Sequence, residues 1–204
     1  MAYPTIAVFD IGNVLVRWDP RNLYQKIFTD PAQTDFFLRE VCPPGWNLEQ
    51  DRGRPWEDGI AEAIRRHPGF SEQIQAFRLR WQETLGGAIS DNVRCLERLR
   101  ANGVPTYAIT NFAADTFIEA QGLFPFLKGF DGMIVSGREK LLKPDPAIYR
   151  LLLDRYNLKA GDCVFIDDSA HNIEAAAALG FATIHYGLGL DAAGAFRQLG
   201  LPVD

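Results

Sequence analysis

Two regimes of hydrophobic patterning divide the chain. Between about Arg17 and Gly87, apolar residues recur at helical spacing. On either side, short continuous apolar runs alternate with amphipathic stretches. The first run, Thr5 to Val8 followed by Phe9, predicts a buried strand that ends at Asp10 and a Gly12-Asn13 loop. Trp18-Asp19-Pro20 then predicts a turn into a helix, with Asp19 as cap and Pro20 at its first position. Leu23, Tyr24, Ile27 and Phe28 continue it. Thr34 to Val41 predicts a second helical piece, stopped by Cys42-Pro43-Pro44-Gly45. Pro55 to His67 and Ser71 to Leu85 predict two more, the latter capped by Ser71. Trp46 to Gly53 has no clear period, and nothing in this block predicts a strand.

After Gly86-Gly87 the pattern becomes an alternation. Strands are predicted over Val104 to Ile109, Gly132 to Val135, Cys163 to Ile166 and Ala182 to His185. Helices are predicted over Asp91 to Asn102, Ala114 to Gly122, Pro146 to Tyr156, Ala170 to Leu179 and Ala192 to Leu199. Such alternation implies right-handed crossovers and a doubly wound parallel sheet, an α/β fold. The simplest arrangement is an α/β core of residues 1–16 and 88–204, with residues 17–87 inserted as an all-helical cap over the strand C-termini.

Composition narrows the function classes. The 204 residues suffice for one full core and a small second module. A formal net charge of -5 with dispersed arginines argues against a nucleic-acid surface. No apolar run reaches transmembrane length, and no charged segment leads into a long apolar stretch near the start, which predicts neither membrane anchorage nor a secretory leader. Cys42, Cys95 and Cys163 are odd in number and lack metal-site spacing, as expected of reduced thiols in a cytoplasmic protein. His67, His171 and His185 follow no ligand spacing, and the Gly-rich run Gly187 to Leu190 is only a weak phosphate signal.

Three polar groups follow predicted strands: Asp10, Thr110-Asn111 and Asp167-Asp168. Lys143 lies in a Pro-flanked loop before a helix. Parallel topology gathers all four at one sheet edge. A carboxylate can act as nucleophile, further carboxylates can hold Mg²⁺ through oxygen, and a hydroxyl, an ammonium and loop amides can hold phosphoryl oxygens. The bland alternatives are a turn and helix cap at Asp167-Asp168, a solvated loop lysine at 143 and a turn-capping hydroxyl at Thr110. Asp145 reads as the cap of the Pro146 helix.

The sequence resembles the haloacid dehalogenase superfamily of hydrolases, most of whose members are phosphatases. The four motifs are Phe9-Asp10-Ile11-Gly12-Asn13-Val14-Leu15, Thr110-Asn111, Lys143-Pro144-Asp145-Pro146 and Phe165-Ile166-Asp167-Asp168-Ser169. Residues 17–87 resemble a C1-type cap, and the first motif resembles that of small bacterial phosphatases with Asp-x-Gly-Asn. The resemblance implies that Asp10 attacks phosphorus and becomes an aspartyl phosphate. It implies Mg²⁺ bound by Asp10, the Gly12 carbonyl and Asp167 or Asp168. Thr110 and the Asn111 amide would bind phosphoryl oxygens, and Lys143 would balance charge. The substrate would be a small phosphorylated metabolite, with a sugar phosphate as one candidate, and the protein a monomer or homodimer.

One position departs from the family pattern. Its phosphatases usually carry a second Asp two residues after the nucleophile as general acid and base, and here that position is Gly12. Such help is worth about 10²–10⁴-fold. Turnover is slow, or the leaving group is good, or another group substitutes: Asn13, a cap acid such as Glu49 or Asp51, or water. Asn cannot serve as a base at neutral pH, which favours the cap acid or water. In the cap, Trp46 to Gly53 is the candidate specificity loop, with Asn13, Trp46, Glu49 and Arg52 as substrate-binding candidates and Arg17 and Trp18 at the core–cap junction. Two rival functions remain at this level. One is a metal-free 2-haloacid dehalogenase, against which the Asp167-Asp168 pair argues; the other is a phosphate- or partner-binding protein with little turnover.

Overall fold

In the computed structural model, which describes residues 4–187 and 189–203, β1 (Ile6–Phe9) is the middle strand of a parallel sheet. Leu188, in the Gly-rich run noted above, lies outside the described residues. Ala7, Val8 and Phe9 have no exposed surface, as a strand covered on both faces requires. The other strands are β2 (Val16–Trp18), β3 (Leu85–Ala88), β4 (Thr106–Thr110), β5 (Gly132–Val135), β6 (Cys163–Asp167) and β7 (Ala182–His185). The main sheet has the order β5-β4-β1-β6-β7, every pair parallel. With β4 and β6 on opposite sides of β1, the winding reverses there, and the crevice beyond β1 is where such sheets bind ligands.

The helices are α1 (Arg21–Tyr24), α2 (Pro31–Phe36), α3 (Pro44–Asp51), α4 (Trp56–Arg66), α5 (Ser71–Leu79), α6 (Ser90–Ala101), α7 (Ala114–Leu123), α8 (Ser136–Glu139), α9 (Pro146–Tyr156), α10 (Ala170–Ala178) and α11 (Ala192–Gln198). Strand alternation splits the core in two. Ala7, Phe9, Ala108 and Ile166 pack against Leu96 of α6, Phe117 of α7 and Phe196 of α11. Val8, Ile109 and Phe165 pack against Tyr149 and Leu152 of α9 and Ala176 of α10. The result is the doubly wound α/β architecture expected from the alternation. Asp145 caps α9 by accepting from Ala147 N–H at 2.8 Å, and Asp19 accepts from Arg21 N–H at 2.8 Å. Ser71 does not cap α5, which it opens as the first helical residue.

Helices α1 to α5 form a module with an aromatic core of its own, in which Tyr24, Phe37, Trp46, Trp56 and Phe77 are buried together. The block expected to lack strands is bracketed by two. Strands β2 and β3 pair antiparallel at the module's stem, Val16 opposite Ala88 and Trp18 opposite Leu85. Their brevity and the Gly86-Gly87 pair hide them from periodicity. Gly86 is required by the pairing, because a Cβ there would stand 2.9 Å from Arg17 Cβ. Trp46 to Gly53, aperiodic in sequence, is mostly helix α3, started by Pro44 in its first turn. Its pattern is unreadable because it buries Trp46 and Gln50 in the module while other positions face the sheet edge. All three cysteines are free and buried, and burial pushes their thiols up to about 12. Among the described residues, no helix is long and apolar enough to cross a membrane.

Candidate active site

Asp10 is the first residue beyond β1. Its N–H donates to Ile166 O at 2.9 Å, which continues the sheet and aims the side chain into the crevice. Ile11, Val14 and Leu15, all fully buried, anchor the following loop. Leu15 and Val16 N–H groups both donate to Ile11 O, at 2.9 and 3.0 Å. The loop closes through Asn13, whose φ of 53° is left-handed, a conformation Asn tolerates better than most residues. Asn13 Oδ1 accepts from Trp18 N–H at 2.9 Å, and its side chain also bonds Asp168. Asn13 therefore ties the loop after β1, the module stem and the β6 loop together.

Lys143 is almost completely buried. Its Nζ donates to Asp10 Oδ1 at 2.8 Å and to Asp167 Oδ2 at 2.6 Å. Burial alone would lower its pKa, but the two carboxylates outweigh it and hold the ammonium charged. The Asn111 side chain sets the position of this lysine. Its Nδ2 donates to Lys143 O at 3.1 Å and its Oδ1 accepts from Lys143 N–H at 2.9 Å. The Asn111 side-chain amide is therefore occupied in clamping the Lys143 backbone, while the residue also lines the cavity.

The two adjacent aspartates do different jobs. Asp167 is fully buried; its Oδ1 accepts from Ser169 N–H at 2.8 Å, Oδ2 from Lys143, and both from Asn172 Nδ2 at 3.0 and 3.1 Å. Asp168 is exposed and lines the cavity with Asp10. One carboxylate oxygen from each of Asp10, Asp167 and Asp168 lies within 4.8 Å of the others. Burial, with the neighbouring negative charges, raises the carboxyl pKa of Asp10 against the pull of Lys143; at Asp168, exposed along one side, loss of water around the carboxyl and the charge of Asp167 also act upward. At the end of β4, Thr110 Oγ1 is buried with no hydrogen-bond partner. A buried orphan hydroxyl costs free energy unless something absent from the protein chain meets it.

A cavity of ≈ 200 Å³ opens over these groups. Asp10, Gly12, Asn13, Asn111 and Asp168 line it from the ends of the sheet strands, and Asn47 and Asp51 line it from α3. Trp18, Trp81 and Phe112 supply apolar surface. Of the expected substrate contacts in α3, Trp46 is buried in the module with Nε1 donating to Gly59 O at 3.0 Å. Glu49 and Arg52 pair with each other at 3.5 Å on the exposed side. The helix turns all three away from Asp10 and presents Asn47 and Asp51, four residues apart, instead. Asp51 is partly buried; Oδ1 accepts from Ala113 N–H at 3.1 Å and Oδ2 from Asn47 Nδ2 at 3.0 Å. Burial pushes its carboxyl up to about 7. Asn47 lies within the Trp46 to Gly53 stretch expected to set specificity, and only the helical spacing of four from Asp51 distinguishes it from its neighbours there.

A parallel sheet with a buried lysine between two carboxylates at its switch point defines a hydrolase class. The haloacid dehalogenase-like hydrolase family matches residues 5–180, and the chain belongs to that family. It is similar to sesquiterpene phosphatase astK of Aspergillus oryzae, at 28% identity over 198 residues covering 95% of each chain. It is also similar to a phosphorylated carbohydrates phosphatase of Thermotoga maritima, at 26% identity over 200 residues covering 87% of this chain and 82% of that one. Among solved structures, the HAD family enzyme bt-2542 of Bacteroides thetaiotaomicron, in its magnesium complex, shares the fold with a TM-score of 0.76. The two are 20% identical, with 96% of this chain and 100% of that one covered.

Proposed function

We propose that this protein is a Mg²⁺-dependent phosphatase that hydrolyses a small phosphorylated metabolite through an aspartyl phosphate on Asp10. The observation that carries this reading is the grouping at one sheet edge of a lysine-held carboxylate, two further carboxylates and an unpartnered buried hydroxyl. Asp10 attacks phosphorus in line, the bond to the leaving oxygen breaks, and water then cleaves the acyl phosphate. Lys143 offsets charge on Asp10 and the transferring group, and the Thr110 hydroxyl donates to a phosphoryl oxygen. Asn111 acts by fixing the Lys143 loop.

The donor set suits Mg²⁺: hard carboxylate oxygens gathered within 4.8 Å of one another. Asp10, Asp168 and the Gly12 carbonyl would hold the ion, because both Asp167 oxygens are engaged by Lys143, Asn172 and Ser169. Bound there, Mg²⁺ supplies neutralisation of phosphoryl charge. Residues 17–87 act in this reading as a C1-type cap over a core of residues 1–16 and 88–204, excluding water from the first step. The phosphatase names of the two relatives support a phosphate monoester, and a cavity of mixed apolar and amide lining suits a small organic one. A dehalogenase would leave Asp168 and the Thr110 hydroxyl without a task.

The test is phosphate release from a panel containing hexose 1-phosphates, other sugar phosphates and a prenyl phosphate. Activity should require Mg²⁺, disappear with EDTA and return on Mg²⁺ addition. Asp10→Asn should lose on the order of 10⁴-fold or more while folding normally. Phosphate release by Asp10→Asn at the wild-type rate would overturn the reading, as would halide release from 2-chloropropionate without metal.

A further inference from the structure

Gly12 leaves its side of the cavity without the acid that would protonate a leaving group. The backbone does not demand glycine there. Its φ is not left-handed, and a Cβ would meet nothing within 4 Å. The cavity is lined by three carboxylates among the described residues, Asp10, Asp51 and Asp168, and by no histidine, cysteine or lysine. Asp10 attacks, and Asp168 lies beside it within the carboxylate cluster. Asp51 stands on the α3 wall. In-line displacement sends the leaving oxygen away from Asp10, and among the carboxylates lining the cavity Asp51 is the one that stands outside the cluster around Asp10.

Resting on the phosphatase reading above, we propose that Asp51 is the general acid and base of the reaction, supplied from the cap in place of a side chain at position 12. In the first step Asp10 Oδ forms a bond to phosphorus. The bond from phosphorus to the leaving oxygen breaks, and that oxygen takes the proton of the Asp51 carboxyl. In the second step water attacks the aspartyl phosphate, its proton passes to the Asp51 carboxylate, and the bond from phosphorus to Asp10 breaks. Inorganic phosphate leaves, and both aspartates are restored.

Three contacts hold Asp51 in place for this. Asn47 and Ala113 N–H fix its two carboxylate oxygens, and Ser136 Oγ donates to its backbone carbonyl. The Ala113 and Ser136 contacts cross from α3 to the core, so the acid is aligned only when α3 rests on the loop after β4. Burial that keeps the carboxyl protonated near neutrality supplies the proton for the first step. Asp10 and Asp168 are the ionisable groups that share the cavity with it.

Asp51→Asn separates proton transfer from anchoring, because its amide oxygen can still accept from Ala113 N–H. The experiment compares wild type and variant, with Mg²⁺, on an alkyl phosphate and on p-nitrophenyl phosphate, whose phenolate leaves without a proton. The variant should lose about 10²–10⁴-fold in kcat on the alkyl phosphate. On p-nitrophenyl phosphate it should release the first equivalent of p-nitrophenol nearly as fast as wild type, then turn over slowly as the unassisted second step limits. Equal losses on both substrates without a burst, or no loss, would overturn the assignment and indicate a structural anchor. If Asp51→Asn fails to fold, Asp51→Glu and Asp51→Gln decide it: the Gln variant alone should show the burst and the alkyl-specific loss. A wild type inactive on every phosphate would instead sink the phosphatase reading, and this assignment with it.

Discussion

Lys143 Nζ lies 2.6 Å from Asp167 Oδ2, both groups almost without solvent contact. The lysine is thereby held against Asp10, and the aspartate is withheld from the cavity. Removing Asp167 takes one of two carboxylates from Lys143 Nζ and leaves the Asn172 amide and the Ser169 N–H without their acceptor, and each buried donor left unpaired typically costs about 1–3 kcal/mol. Asp167→Ala should therefore lower the denaturant midpoint strongly. An unchanged midpoint would show that the pair does not organise the site.

Thr110 gives the opposite signature. Its Oγ1 has no partner within the protein, so the free fold gains nothing from it. Thr110→Val should melt no lower than wild type. Inorganic phosphate or vanadate, measured as a competitive inhibitor, should bind about 2- to 10-fold more weakly, equivalent to one ordinary hydrogen bond. A destabilised variant with unchanged inhibition would contradict the assigned role.

Gly12→Asp is expected to fold with wild-type stability, because its Cβ enters open space on an ordinary backbone. In an Asp51→Asn background it places a carboxyl in the same cavity. Thermal denaturation of the single variant is the check, and a drop of more than a few degrees would mean the loop requires glycine after all.

Asp51 also makes stability depend on pH. Burial holds its carboxyl at about 7 in the folded protein, above the 3.8 of an aspartate free in water. Between those values the native state holds a proton that the unfolded state has lost, so native stability falls as pH rises through that window and levels off above it. Asp51→Asn lacks this term. The difference in Tm, variant minus wild type, should grow from pH 4 to pH 7 and stay flat beyond. A difference constant with pH would mean that burial does not shift this carboxyl.

Several parts of this molecule are written locally. The apolar run ending at Asp10, the strand–helix alternation after Gly87 and the Asp145 cap of α9 follow from side-chain period and turn chemistry over a few residues. Because parallel strands present their C-termini together, the gathering of Asp10, Thr110, Lys143 and Asp167-Asp168 at one edge was also legible from order alone. The β2–β3 stem, the burial of Trp46 in the module core, the exposure of Glu49 and Arg52, and the turn of Asn47 and Asp51 to the cavity were not. They depend on pairings between distant segments, such as Asp51 with Ala113, 62 residues apart. The division of labour between Asp167 and Asp168 was hidden for the same reason. Neighbours in sequence point to opposite surroundings, and only the packed lysine, the Asn172 amide and the cavity decide which carboxylate is buried and which faces the cavity.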